Sequence, residues 1–214
     1  MGTEERRQRE KERRRRDIIE AARVLFIQQG FRDTTIDDIA KMTELARGTV
    51  YLYFENKEAI YATVLDEGLD LLLNLIEESH DPNVDPLTNL LRAHDAFLKF
   101  HDDHPEYYGV LILDKLGIEE AIPKELSDRL HEKTRCIVDG IARNIQQGID
   151  EDMFRPMPVR DAAVLQMGLS MGFTMALDIC KEGDPLFSSR SDAREMLHAL
   201  IANGVLAQRP VTQA

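Results

Sequence analysis

Residues 34–54 read TTIDDIAKMTELARGTVYLYF, and the spacing within this stretch decides the fold. Thr35 and Asp38 stand at capping-box spacing ahead of Ile36, Ile39 and Ala40, so a short helix starts after Thr35 and ends near Met42. A tight turn at Thr43, Glu44 and Leu45 separates it from a second periodic stretch, Ala46 to Phe54, in which Val50 and Phe54 share an inward face. Arg47, Thr49, Tyr51 and Tyr53 are then left to point outward. Two short helices about such a turn have the dimensions of a helix-turn-helix, whose second helix fits a DNA major groove about 12 Å wide. Gly48 weakens a helix by ~1 kcal/mol relative to Ala, which makes sense if a phosphate or base must approach the backbone closely. Plain packed helix pairs share this spacing, so the pattern alone leaves both readings open.

Outward from this stretch the chain reads as helices only. Ile18, Ile19, Ala22, Leu25 and Phe26 recur at helical spacing and predict a helix over about 13–29, with Gly30 ending it. Asn56 is a good cap for a helix from Lys57 to about Ser79 that buries Ile60, Val64, Leu65, Leu69, Leu72 and Ile76. Further helices are expected at 85–102, 105–117, 123–150, 158–181 and 190–207, with Pro86, Pro105, Pro123, Pro158 and Pro185 near the seams. No segment alternates with period two for long. The fold class is all-α.

The chain has 214 residues and a formal net charge of −12, with 43% hydrophobic and 31% charged residues, a globular composition. No stretch approaches eighteen uninterrupted apolar residues, so neither a membrane span nor a membrane partner is expected. The charged N-terminus has no apolar segment behind it, which argues against a secretory signal. Cys136 and Cys180 make no disulfide framework and suit a reducing cytoplasm. Charge is unevenly divided: residues 1–60 carry 13 basic and 12 acidic groups, the remainder 14 and 27. Residues 4–16 alone hold eight basic groups against four acids. An acidic body with a basic arm fits a protein that meets a polyanion at one end. A solvated helix start rich in Glu/Arg pairs would have the same composition.

Catalytic signatures are missing. There is no Gly-x-Ser-x-Gly elbow, phosphate-binding glycine loop or His-Glu-x-x-His, so no enzyme activity and no cofactor are expected. A metal-sensing regulator or metal-binding bundle is the alternative. Glu77 with His80 and Glu195 with His198 have the Glu-x-x-His spacing of helical metal sites, and His94, His101 and His104 lie near one helical face with Asp102 and Asp103 close by.

The stretch Ile18–Ile60 resembles the DNA-binding head of the TetR family of bacterial transcriptional repressors. The resemblance is carried by Ala21-Ala22, Leu25-Phe26, Gly30-Phe31, Thr34-Thr35, Ile39-Ala40, Gly48-Thr49-Val50-Tyr51, Tyr53-Phe54 and Lys57-Glu58, about one fifth of the chain. It implies a DNA-binding head over residues 1–56, with a basic arm at 1–16, and an effector-binding, dimerising body over 57–214. It further implies a homodimer reading a palindromic operator in double-stranded DNA until a small effector releases it. On this resemblance Thr35 and Lys57 hold phosphates, Tyr51 and Tyr53 contact backbone and groove, and Arg47 and Thr49 face base edges beside Gly48. Two positions depart from the family pattern, which usually has Gly where this chain has Glu44, and Ser or Thr where it has Ala46. Glu44 is strained if the turn demands a positive φ, and Ala46 forgoes a helix cap worth ~1 kcal/mol.

In the body, Gly168, Gly172 and Ala176 recur every four residues with Leu165, Leu169 and Phe173 alongside, and Met196 and Leu200 follow on the last helix. Small residues on one stripe admit a second helix closely, which suits a four-helix dimer face; ordinary packing within the chain has the same pattern. Phe97, Phe100, His101, Tyr107, Tyr108, Leu111, Cys136, Met167 and Met171 are the pocket candidates, and they imply a largely hydrophobic effector.

Overall fold

The computed structural model describes residues 3–112, 121–179 and 189–206. Among these, the helices are α1 (Thr3–Asp33), α2 (Ile36–Met42), α3 (Arg47–Val50), α4 (Lys57–Ser79), α5 (Pro86–Asp103), α6 (Pro105–Ile112), α7 (Lys124–Asp150), α8 (Val159–Ile179) and α9 (Arg190–Val205). The only extended pairing among them is an isolated antiparallel bridge between Phe154 and Leu206. Cys180, Pro185 and the expected helix residues 113–117, 180–181 and 207 lie outside the described residues.

α1 starts ten residues earlier than the apolar spacing suggests. Its first turns are almost wholly exposed and carry no apolar stripe; local pairs sustain them instead, with Glu10 accepting from Arg13 at 3.0 Å and Arg14 at 2.9 Å. The basic segment 3–16 is therefore part of a helix. Gly30 breaks α1 as expected, at φ 83° and ψ 162°, before a last turn through Asp33.

The chain packs as two compact units, one of residues 1–71 and 104–132, the other of 72–103 and 133–214. This packing division falls inside α4 and α7, and differs from the functional division expected at 56/57. In the first unit Ile18, Ala22, Phe26, Ile39, Val50, Ile60 and Val64 form one core, joined by Val110 of α6. The rings of Phe26, Phe31 and Tyr61 lie 4.8–5.5 Å apart, and the Tyr61 hydroxyl donates to the Val110 carbonyl at 2.8 Å.

In the second unit Leu90, Val138, Ile145, Phe154, Ala163, Leu197, Ile201 and Val205 make the core. α8 has an unusual polarity: its buried residues are Ala163, Gln166, Ser170 and Thr174, while Leu165 is 70% exposed and Val164, Leu169, Met175 and Ile179 are exposed as well. Its most apolar 18-residue window has mean hydropathy 1.4, so by length and composition this helix could cross a membrane. The search for uninterrupted apolar runs passes over this helix because Gln166, Ser170 and Thr174, uncharged and on its buried face, interrupt it.

Candidate functional site

α2 and the turn that follows it are built as their spacing predicts. Thr35 caps α2: its hydroxyl accepts from the Asp38 amide at 3.1 Å, while Asp38 Oδ2 accepts from the Thr35 amide at 2.9 Å and hydroxyl at 2.7 Å. These bonds hold the Asp38 carboxyl below its ordinary pKa. The turn closes through the Thr43 hydroxyl on the Ile39 carbonyl at 2.8 Å and the Leu45 amide on the Ala40 carbonyl at 2.8 Å. Glu44 sits at φ 55°, the left-handed conformation that glycine adopts without strain. Ala46 caps α3 with no side-chain hydrogen bond. Both departures from the family pattern therefore take effect in the backbone.

α3 is shorter than the expected helix over 46–54. It ends at Val50, and residues 51–54 continue as tight turns in which the Leu52 and Tyr53 amides reach back only three residues, to Thr49 and Val50. Val50 and Phe54 are buried as expected. Arg47, Gly48 and Tyr51 are exposed, and Thr49 is half-buried. A Cβ added at Gly48 would meet nothing within 4 Å, so nothing inside this chain requires glycine there. Arg47 lies across the face, donating to Asp37 at 3.0 Å and to the Tyr51 hydroxyl at 3.4 Å, and both partners hold its charge. Tyr53 does not point away as expected; it packs half-buried against the core of the first unit.

Thr35 and Lys57, the two residues expected to hold phosphates, are occupied within the chain. Both donors of Thr35 face Asp38. The Lys57 ammonium donates to the carbonyls of Phe31 at 2.6 Å, Thr34 at 2.7 Å and Arg32 at 3.3 Å, and stands 4.3 Å above the Phe31 ring. It closes the chain end that Gly30 leaves open. Burial there lowers its pKa, while Glu58 and Asp33 act in the opposite direction.

The second unit contains a cavity of about 410 Å³ between the end of α4, α5 and α7. Its walls are Ile76, Leu90, Ala93 and Ile141, and its exposed rim carries Glu77, His80 and Arg143. A small inner recess shares those walls and ends on His94, Phe97, Ile137, Gln166, Met167 and Ser170. His94 is 2% exposed, bonded through one ring nitrogen to Gln166 and through the other to Ser170 Oγ at 2.6 Å. Burial, reinforced by nearby His198 and opposed by Asp95, lowers its pKa to about 4, so it is neutral at physiological pH. Asn144 donates to the Pro86 carbonyl at 2.7 Å, but its buried Oδ1 accepts from no group among the described residues.

Of the nine expected pocket residues, Phe97 and Met167 line this recess. Phe100 is buried with its ring 6.4 Å from that of Phe97, and Met171 is half-buried outside the lining. His101 instead bridges Asp102 at 2.7 Å and Asp178 at 2.9 Å. Cys136 is exposed. Tyr107, Tyr108 and Leu111 belong to the first unit, where Tyr107 donates to Glu67 at 3.3 Å beneath the Arg23 guanidinium. The readable signal for this recess was the polar pair Gln166 and Ser170 on a largely apolar helix.

No group of three or more His, Cys, Asp or Glu side chains suited to a metal ion occurs among the described residues. The three histidines of the metal alternative have diverged: His94 faces Gln166 and Ser170, His101 faces two carboxylates, and the His104 ring stands beside Tyr107. Of the expected dimer face, Leu165, Gly168, Leu169, Gly172, Met196 and Leu200 are exposed, the last two at 67% and 63%. Phe173 packs inward against the core, and Ala176 is half-buried. A Cβ at Gly168 or Gly172 would meet open space.

Residues 18–64 match the model of the bacterial regulatory proteins of the tetR family. The chain is 26% identical over 177 residues to the HTH-type transcriptional regulator YhgD of Bacillus subtilis, covering 81% of this chain and 87% of that protein. It is 28% identical over 145 residues to the HTH-type transcriptional repressor KstR2 of Mycobacterium tuberculosis, covering 67% and 70%. A solved tetR-family regulatory protein from Rhodococcus RHA1 superimposes with a TM-score of 0.75 at 19% identity, over 92% of this chain and 98% of that one. The matched head, the capped α2–α3 pair and the relatives' common activity agree: residues 18–64 are a DNA-binding head of the tetR type, and the chain is a DNA-binding transcriptional regulator.

Proposed function

We propose that the protein is a homodimeric, ligand-released repressor that reads a twofold-symmetric operator with α3. The carrying observation is the α3 face itself: an exposed glycine with open space where its side chain would be, between exposed Arg47 and half-buried Thr49, with Tyr51 one turn on. A face with no internal need for glycine fits close approach by an external backbone, and Arg47 can exchange Asp37 for the O6/N7 edge of a guanine. Arg47, Gly48, Thr49 and Tyr51 form the reading set. Thr35 and Lys57 support it from within by fixing the start of α2 and the end of α1.

Pairing rests on the α8–α9 face. Leu165, Leu169, Met196 and Leu200 would leave a wide apolar area in water on a single chain, and open Gly168 and Gly172 let a second copy approach closely. Release rests on α4, one helix that begins with Lys57 against the end of α1 and finishes with Ile76, Glu77 and Ser79 on the cavity. A ligand acts only through different affinities for the reading and released states. KstR2, the ketosteroid regulator among the relatives, superimposes with a TM-score of 0.69 and is a repressor, which supports the same sign here.

Selection of duplexes from a random pool on the purified chain, at near-physiological salt, tests this reading. A recovered palindrome supports it. Recovery of asymmetric sequences, or none from protein stripped and refolded to remove bound ligand, refutes it.

A further inference from the structure

Polarity along the cavity is graded. The mouth carries Glu77, His80 and Arg143, the walls are aliphatic, and the recess ends on Phe97 and Met167. The inner end asks nothing polar of a guest, because His94 already has a partner on each ring nitrogen. An apolar chain end facing the recess leaves none of its buried groups unpaired, whereas a polar chain end has no partner there to replace water.

At the mouth, one cation is unspent. Arg92, Arg160, Arg190 and Arg194 of the same unit each hold a carboxylate. Arg143, in a strongly acidic body, has none within 4.0 Å among the described residues. Its Nη2 lies 3.8 Å from where a Gly140 Cβ would stand, and Gly140 lines the cavity, so the guanidinium is folded over the opening. Glu77 shares that rim without reaching ion-pair distance, and its charge opposes a guest bearing several negative charges.

Resting on the reading of this cavity as the effector site, we infer that the effector is a monocarboxylate with an apolar chain, its carboxylate on Arg143 and its chain directed toward Phe97 and Met167. Arg143 selects the head group by a charge-assisted, bidentate hydrogen bond. The aliphatic walls of the outer cavity take the chain.

Decanoate, decanol and decylamine are the probes, titrated below their aggregation limits into the full-length protein and an Arg143→Gln variant, with calorimetric affinity as the readout. Arg143 is exposed, and an unchanged melting temperature checks that the variant is folded. Decanoate is expected to bind wild-type protein about 10–100-fold more tightly than decanol, the range for a hydrogen bond to a charged group. Arg143→Gln should erase that difference and leave decanol unaffected. Equal or tighter binding of decanol or decylamine to wild type, weakened by filling the cavity with Ala93→Phe, would overturn the carboxylate assignment and leave the cavity as the effector site. No binding by any of the three would overturn both.

Discussion

Replacing Gly48 by Ala separates what this position does for the fold from what it does for DNA. Gly48 is the second residue of α3, is exposed, and has open space around the position of an added Cβ. Alanine there meets no steric obstacle and gains helix propensity, ~1 kcal/mol in a helix interior. The short four-residue helix reduces that to ~0.5 kcal/mol. For a chain of this size the melting temperature should rise by roughly 1–2 °C. DNA binding should move the other way: a methyl group on the face that approaches the groove forces the backbone outward and loosens the Arg47 and Tyr51 contacts together. A loss of about tenfold or more, ~1.4 kcal/mol, is expected. Thermal unfolding and a fluorescence titration on the selected operator read the two effects from one preparation. Unchanged affinity with raised stability would refute the reasoning, because Gly48 would then lie off the interface. Lowered stability would refute the geometry of α3.

The two departures at the turn make stability predictions that can be read separately by urea unfolding. Glu44→Gly removes a side chain from φ 55° and should gain ~0.5–1 kcal/mol, while Ala46→Ser supplies the missing cap of α3 and should gain ~1 kcal/mol. Lys57→Met keeps the stem over Phe31 but strips three carbonyls of their donor, so it should cost ~2 kcal/mol after allowing for partial exposure. If instead it leaves stability intact and lowers the salt dependence of DNA binding, Lys57 is a phosphate ligand as the family resemblance implies. His94 titrates near about 4 in the folded chain against an ordinary 6.5, so its contribution is complete above pH 6.5 and drains away as the pH falls toward 4, by about 3 kcal/mol. Denaturation midpoints across that window should fall with pH in the wild type and more shallowly in His94→Gln; parallel slopes would assign the titration elsewhere.

Local chemistry was legible in the sequence wherever it acts within a few residues. Gly30, the Thr35–Asp38 box and Asn56, whose Oδ1 accepts from the Ala59 amide at 2.7 Å, each mark a boundary that the structure places there. The end of α3 was not legible, because its tight turns keep Phe54 inward and so prolong the apolar period after the helix has stopped. The start of α1 was hidden for the opposite reason: exposed charges carry no hydrophobic period, and local pairs such as Gln8–Glu12 and Glu10–Arg14 are what mark a helix. The cavity depended on long-range packing. Tyr107, Tyr108 and Leu111 follow closely after Phe100 in sequence, yet beyond Pro105 they pack with the other unit. Lys57 likewise reads as a free cation until the fold brings the end of α1 against it.

The central claim is that α3, carried twice about a twofold axis, reads DNA. Hydroxyl-radical footprinting of full-length protein on a selected duplex tests it most directly, with Gly48→Ala as the comparison. The account predicts two protected stretches related by a twofold axis and centred about one helical turn apart, roughly 10 bp, or a multiple of it, both weakened together in the variant. A single protected stretch, or protection that Gly48→Ala leaves intact, would contradict it.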